Sequence, residues 1–175
     1  MTKKGTMRTV LRTIDSITDW TGRIVSWLCV FLVVQITYEV AMRYVFNAPT
    51  VWGYETSEMV GCTIFVFAFS YALKTHAHVR IDIIHGYLPT RGKTIIDVLG
   101  HLICFFPLII LLTFVSADWA TDSWRTSEIM VHGAWYPPAA PWRTVVVAGL
   151  ILFAIQGAAQ FVRDFYLLTR NKPYD

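Results

Sequence analysis

At 175 residues, 55% hydrophobic and only 15% charged, with a mean hydropathy of +0.48, the chain is too apolar for a water-soluble fold and too short for a separate soluble domain. Its formal charge of +3 sits in the segments between apolar stretches, which fits contact with anionic lipid head groups and argues against nucleic acid as a partner. Cys29, Cys62 and Cys104 are odd in number and fall inside apolar stretches, which argues against a disulfide framework, and no CxxC metal pair is present.

Residues 6–22 place Met7, Val10, Leu11, Ile14, Ile17 and Thr18 at helical spacing, with Arg8, Arg12, Asp15 and Asp19 facing away. This predicts an amphipathic helix lying on the inner membrane surface ahead of the first span. Four apolar stretches follow, at roughly 24–46, 54–73, 95–117 and 143–166, each near the ~20 residues a helix needs to cross a bilayer. The first ends in Arg43-Tyr44-Val45-Phe46 instead of small residues, so it reads as a retained span and not a cleaved signal peptide. Trp20 and Trp27 mark one interface, Tyr44 and Trp52 the other.

The second span is expected to start after Pro49, with Glu55 and Glu58 in its first turns, where carboxylates complement the helix dipole. Ile81–Leu88 is apolar but short and is followed by Pro89, which predicts an interfacial segment. The third pattern runs from Ile95 toward Trp124, long enough to demand tilt or protrusion, and Pro107 predicts a kink within it. Glu128 to Trp142 contains Gly133, Pro137, Pro138 and Pro141 and reads as a rigid outer cap. The fourth span carries Gly149, Ala154, Gly157, Ala158 and Ala159, which permit close helix contact.

Charge then sets orientation. Lys3, Lys4, Arg8, Arg12, Arg23, Lys74, Arg80, Arg91, Lys93, Arg163, Arg170 and Lys172, 12 of the 15 basic residues, fall on one side, leaving Arg43, Arg125 and Arg143 for the other. The positive-inside bias predicts both termini in the cytoplasm. The expected fold is a single all-α membrane domain over 1–175: four transmembrane helices, N-in and C-in, with the segment 1–23 as a cytoplasmic amphipathic helix.

Gln35, Glu39 and Arg43 stand at i, i+4 and i+8 and form one polar stripe on the outer half of the first helix. In lipid such a stripe must face protein, and the natural partners for Arg43 are Glu39 one turn below and Glu55 or Glu58 across the turn. Gln156 and Gln160 form a second polar pair, suited to an interhelical hydrogen bond. His76 and His78, with Asp82 or His85, are a weak metal pattern. A haem held by two histidines would need facing in-span residues, and only His101 falls within a span. Nucleophile elbows, phosphate loops and HExxH are absent, so an enzyme has no support. Internal repeats and paired broken helices of the kind that build a transport site are absent as well.

The run Arg43 to Trp52 (RYVFNAPTVW) with Glu55 and Glu58, then His78-Val79-Arg80-Ile81-Asp82 with Leu88-Pro89, resembles the small DctQ-type membrane subunit of TRAP transporters. The resemblance spans the whole chain. It has two departures: the proline-dense Tyr136-Pro137-Pro138-Ala139-Ala140-Pro141-Trp142, which points to a subgroup, and Gly53 where a polar residue is expected. The resemblance implies a bacterial inner-membrane, sodium-driven importer of organic acids. In it a periplasmic binding protein delivers the solute, a large DctM-type subunit moves it and holds the sodium sites, and the small subunit is a scaffold without a cofactor of its own. On that reading Gln35, Glu39, Arg43, Trp52, Glu55 and Glu58 meet the large subunit or membrane lipids, and Arg125, Glu128, His132, Trp135 and Tyr136 dock the binding protein. The alternatives are a four-helix cytochrome b-type anchor and a stand-alone small transporter or channel.

Overall fold

A computed structural model of the chain describes residues 3–75, 90–131 and 135–170. The expected inner segment Ile81–Leu88, the His78–Asp82 motif, the His76, His78 and His85 cluster, and His132 lie outside the described residues. The described chain folds as helices: α1 (Lys3–Tyr44), α2 (Gly53–Lys74), α3 (Thr90–Gly100), a π-helical turn His101–Phe105, α4 (Phe106–Thr126) and α5 (Ala139–Arg170). Four stretches are long and apolar enough to span a membrane: Met7–Tyr44, Gly53–Lys74, Thr94–Thr126 and Ala139–Thr169.

The amphipathic segment is not a separate element. It continues without a break into the first span, making α1 42 residues and about 63 Å long, twice a bilayer core. Its polar face is also placed differently from the expectation that Asp15 and Asp19 point away. Both turn into the bundle, Asp15 pairing with Arg163 of α5 and Asp19 with Lys74 of α2, while Met7, Val10 and Ile17 are exposed. The periodicity was sound, but the face was decided by partners more than 50 residues away in sequence.

Pro107 acts through the turn before it. Lacking an N–H, it cannot complete the hydrogen bond to the carbonyl of Ile103, and the chain widens into the π turn His101–Phe105. The ring of Phe105 is thereby set against Gly157 of α5, where any Cβ would collide with it. A run of rings ties the helices together at this level: Phe69 of α2 on Phe153 of α5 (5.5 Å), Phe153 on Phe105 (5.0 Å), and Phe106 on Phe161 of α5 (5.4 Å). Gly149 admits Val66 of α2 in the same manner, so the small residues of the fourth span do bring helices into close contact.

The helices form an open layer in the order α1, α2, α5, α4. α5 sits centrally, against α2 and the N-terminal half of α1 on one side and against α3, the π turn and α4 on the other, while α1 and α4 share no substantial interface among the described residues. In the most apolar window of each span only 11–28% of residues are buried. Many apolar side chains are therefore exposed, among them Trp27, Phe31 and Val34 on α1 and Ile103, Leu111 and Phe114 on the third span.

Two charged levels bound this layer. At one end Arg163 meets Asp15 and Lys74 meets Asp19; at the other Arg143 meets Glu128 and Arg43 meets Glu39. Arg143 and Arg163 lie 20 positions apart on one helix, about 30 Å, the thickness of the hydrocarbon core.

Candidate functional site

The turn between α1 and α2 is built on Glu39. Its Oε1 accepts from Arg43 Nη2 at 2.9 Å, one helical turn on, and its Oε2 accepts from the Thr50 hydroxyl and the Thr50 backbone N–H (3.3 Å). Gln35, a turn below, donates through Nε2 to the Gly53 carbonyl at 2.9 Å. The Ser57 hydroxyl lies 2.7 Å from the same carbonyl and 3.1 Å from Gln35 Oε1. Trp52 stacks on Tyr38 with centroids 6.3 Å apart. The stripe is thus split by function within the chain. Gln35 and Glu39 close the turn onto α2, and Arg43 is left with a half-exposed head, 53% accessible.

The glycine at 53 has a physical reason here. A Cβ at that position would lie 2.6 Å from both Glu39 Oε2 and Thr50 Oγ1, so a polar residue there would displace the carboxylate that organises the turn. Of the acidic residues at the start of α2, Glu58 lines an open groove with Arg43, Tyr44 and Tyr54. Glu55 is fully buried, and neither of its carboxyl oxygens has a hydrogen-bond partner. It does not reach Arg43, whose carboxylate is Glu39.

The second feature at this end of the layer is the cap between α4 and α5. Ser127 adopts a left-handed conformation, φ 50°, and ends α4. The following segment closes on itself through an antiparallel bridge, Ile129 to Pro138, with Met130 N–H donating to the Pro137 carbonyl (2.8 Å) and Ala139 N–H to the Glu128 carbonyl (2.9 Å). α5 begins at Ala139 instead of near 143, which places Pro141 in its first turn, where a missing N–H removes no helical bond.

Arg143 holds the cap down. Its guanidinium pairs with both oxygens of Glu128, reaches the Ser123 hydroxyl, and lies 3.7 Å from the centroid of the Trp119 ring. These hydrogen bonds hold the Glu128 carboxyl below its ordinary range, outweighing the opposing effect of desolvation. Sequence reasoning counted Arg143 only as an outer charge. Its signal was a lone arginine in the first turn of an apolar helix, just after a proline-rich cap.

Around this anchor the cap displays Arg125, 4.0 Å from Asp122, and the exposed rings of Trp135 and Tyr136. Trp124, Ile129 and Val131 extend the apolar patch. Tyr136 sits at φ 53°, a strained region for a bulky side chain. Glu128, expected to be a docking residue, is committed to Arg143.

At the opposite end of the layer, buried Gln156 accepts from Thr18 at 2.9 Å and donates to Asp15 Oδ1 at 3.2 Å, which realises the expected interhelical bond. Gln160 instead donates to Asp164 on its own helix. His101 directs Nδ1 at the Asp97 carbonyl, 2.8 Å away. No cluster of three or more metal-ligating side chains occurs among the described residues.

A family model described as "Tripartite ATP-independent periplasmic transporters, DctQ component" matches residues 32–166, from the middle of α1 to the last turns of α5. No curated protein matches the chain.

Proposed function

Because the chain belongs to the DctQ component family of tripartite ATP-independent periplasmic transporters, we propose that this multi-pass membrane subunit acts as a static scaffold for a large DctM-type subunit. On this reading both termini face the cytoplasm, the protein resides in the bacterial inner membrane, and the outer cap offers part of the surface on which a periplasmic binding protein docks. Transport would be sodium-coupled import of an organic acid, with the sodium and solute sites in the large subunit.

The observation that carries the scaffold role is the open layer, with many apolar side chains exposed and ion pairs fastening its two ends. Four helices arranged side by side enclose little, yet they present a long wall that a larger helical partner can lean against. The contact with that partner or with bound lipid would centre on Arg43, Glu58 and Trp52, since Gln35 and Glu39 are spent on the turn that holds them in place. Glu55, though buried, belongs to the same turn.

The test is uptake. Removing this chain while retaining the large subunit and the binding protein should abolish solute uptake, and replacing sodium by choline should do the same in the intact system. Undiminished uptake without the chain would contradict the scaffold reading. Docking is tested separately by Arg125→Glu and Trp135→Ala, which should lower uptake while leaving recovery of the membrane complex unchanged.

A further inference from the structure

Near the inner charged level, α1 and α2 diverge to leave a cleft of about 470 Å³, lined by Asp19, Gly22, Arg23, Ser26, Cys29 and Tyr71, with Val25 and Ala68 on its walls. Its polarity is graded along the helix axes. Asp19, Arg23 and Ser26 on α1 and Tyr71 on α2 stand at the inner end. Cys29 and Ala68, a turn or more further into the span, are small and weakly polar or apolar. Gly22 permits this shape, for a Cβ there would lie 2.6 Å from the Tyr71 ring.

The charge at the polar end is unbalanced. Asp19 is neutralised by Lys74, which also donates to the Asp15 carbonyl, and Arg23 is solvent-exposed, with no carboxylate paired to it among the described residues. Trp20 and Trp27, 66% and 75% exposed, flank it on the outer surface of α1, at the level where indoles settle beside head groups. An open groove that is polar and cationic at one end and apolar toward the middle of the span has the complementarity of one amphipathic molecule.

We propose that this cleft is a binding site for an anionic glycerophospholipid. Its phosphate would lie on the Arg23 guanidinium at the polar end of the cleft, where the Ser26 hydroxyl is held by the Gly22 carbonyl at 3.0 Å, and the start of one acyl chain would run along Val25, Cys29 and Ala68. The site rests on the membrane-spanning fold alone and stands whether or not the scaffold role holds. A phosphate diester is a natural mate for a guanidinium, which offers it two parallel donors.

The experiment is native mass spectrometry of the chain, with whatever subunits accompany it, exchanged into detergent and titrated with phosphatidylglycerol or phosphatidylethanolamine. Wild-type protein should retain phosphatidylglycerol in preference to phosphatidylethanolamine. Arg23→Gln should weaken that retention about tenfold, the loss of one charge-assisted contact, and Arg23→Lys should restore part of it. Ala68→Leu, which fills the apolar end without touching a charge, should weaken it as well. Arg12→Gln, three turns away on the same helix, should leave it unchanged. Retention insensitive to Arg23→Gln, equal loss with Arg12→Gln, or equal retention of the two lipids would overturn the proposal.

Discussion

Arg143 fastens the cap between α4 and α5, because its guanidinium meets a carboxylate, a hydroxyl and an indole face at once. Arg143→Lys keeps the charge but cannot reproduce the two-pronged pairing or the flat stacking, so it is expected to loosen the cap and to raise proteolysis between residues 128 and 139. The Glu128 carboxyl, held below its ordinary value of 4.5 by Arg143, gives the pair a definite pH signature. A depressed acid contributes stability that is fully present above its ordinary value and is lost as pH falls through the lower folded value. The difference in melting temperature between wild type and Glu128→Gln should therefore be constant from pH 7 to about 5 and shrink below that; a difference that grows on acidification would contradict the pairing. At the other outer turn, Gly53→Ala should disturb the Glu39 to Thr50 hydrogen bonds and destabilise the fold by about 1–3 kcal/mol, the range for overpacking a tight site. The residue types at this turn were legible in the sequence, and Glu39 was among the three carboxylates it offered Arg43. Which members face inward was not, since that depends on how the chain between Tyr44 and Gly53 folds back onto Glu39.

At the scale of elements, the four spans were legible because each is apolar over more than the width of a bilayer, and length alone separates such runs from core helices. The boundary of α1 was not. An amphipathic segment and a span share the same backbone geometry, and nothing in the chain between Thr18 and Val25 interrupts the helix. What fastens the N-terminal half to the bundle is the Asp15, Thr18, Gln156 and Arg163 network, whose members are about 140 residues apart. Asp15→Asn removes the charge that meets Arg163 and is expected to cost about 1–3 kcal/mol and to speed hydrogen exchange in residues 7–18 while sparing α2. Exchange that rises uniformly over the whole chain would show that the network holds the bundle and not α1. The third span was expected to kink at Pro107, and the structure turns that kink into a π segment that aims Phe105 at Gly157. Gly157→Leu should consequently separate α5 from the π turn, with a loss of about 1–3 kcal/mol measurable by thermal unfolding in detergent.

For the whole molecule, the apolar composition announced a membrane protein, but the sequence did not give the arrangement of its helices. Four spans can close into a bundle or lie side by side, and the choice rests on which small residues meet which rings across the layer, as Gly149 with Val66 and Gly157 with Phe105. The open order α1, α2, α5, α4 leaves broad apolar faces uncovered within the chain, while the charged levels at Arg143 and Arg163 hold it in register with a bilayer. Without an enclosed core such a layer gains stability when a partner or ordered lipid covers it. The central claim is therefore that this chain is one part of a larger membrane assembly. The measurement that tests it most directly is affinity purification of the tagged chain from its native membrane in mild detergent, followed by mass spectrometry of the recovered proteins. The account predicts a large polytopic membrane protein in about equal amount, retained by wild type and diminished by Arg43→Ala. Recovery of the chain alone, stable and monodisperse, would contradict it.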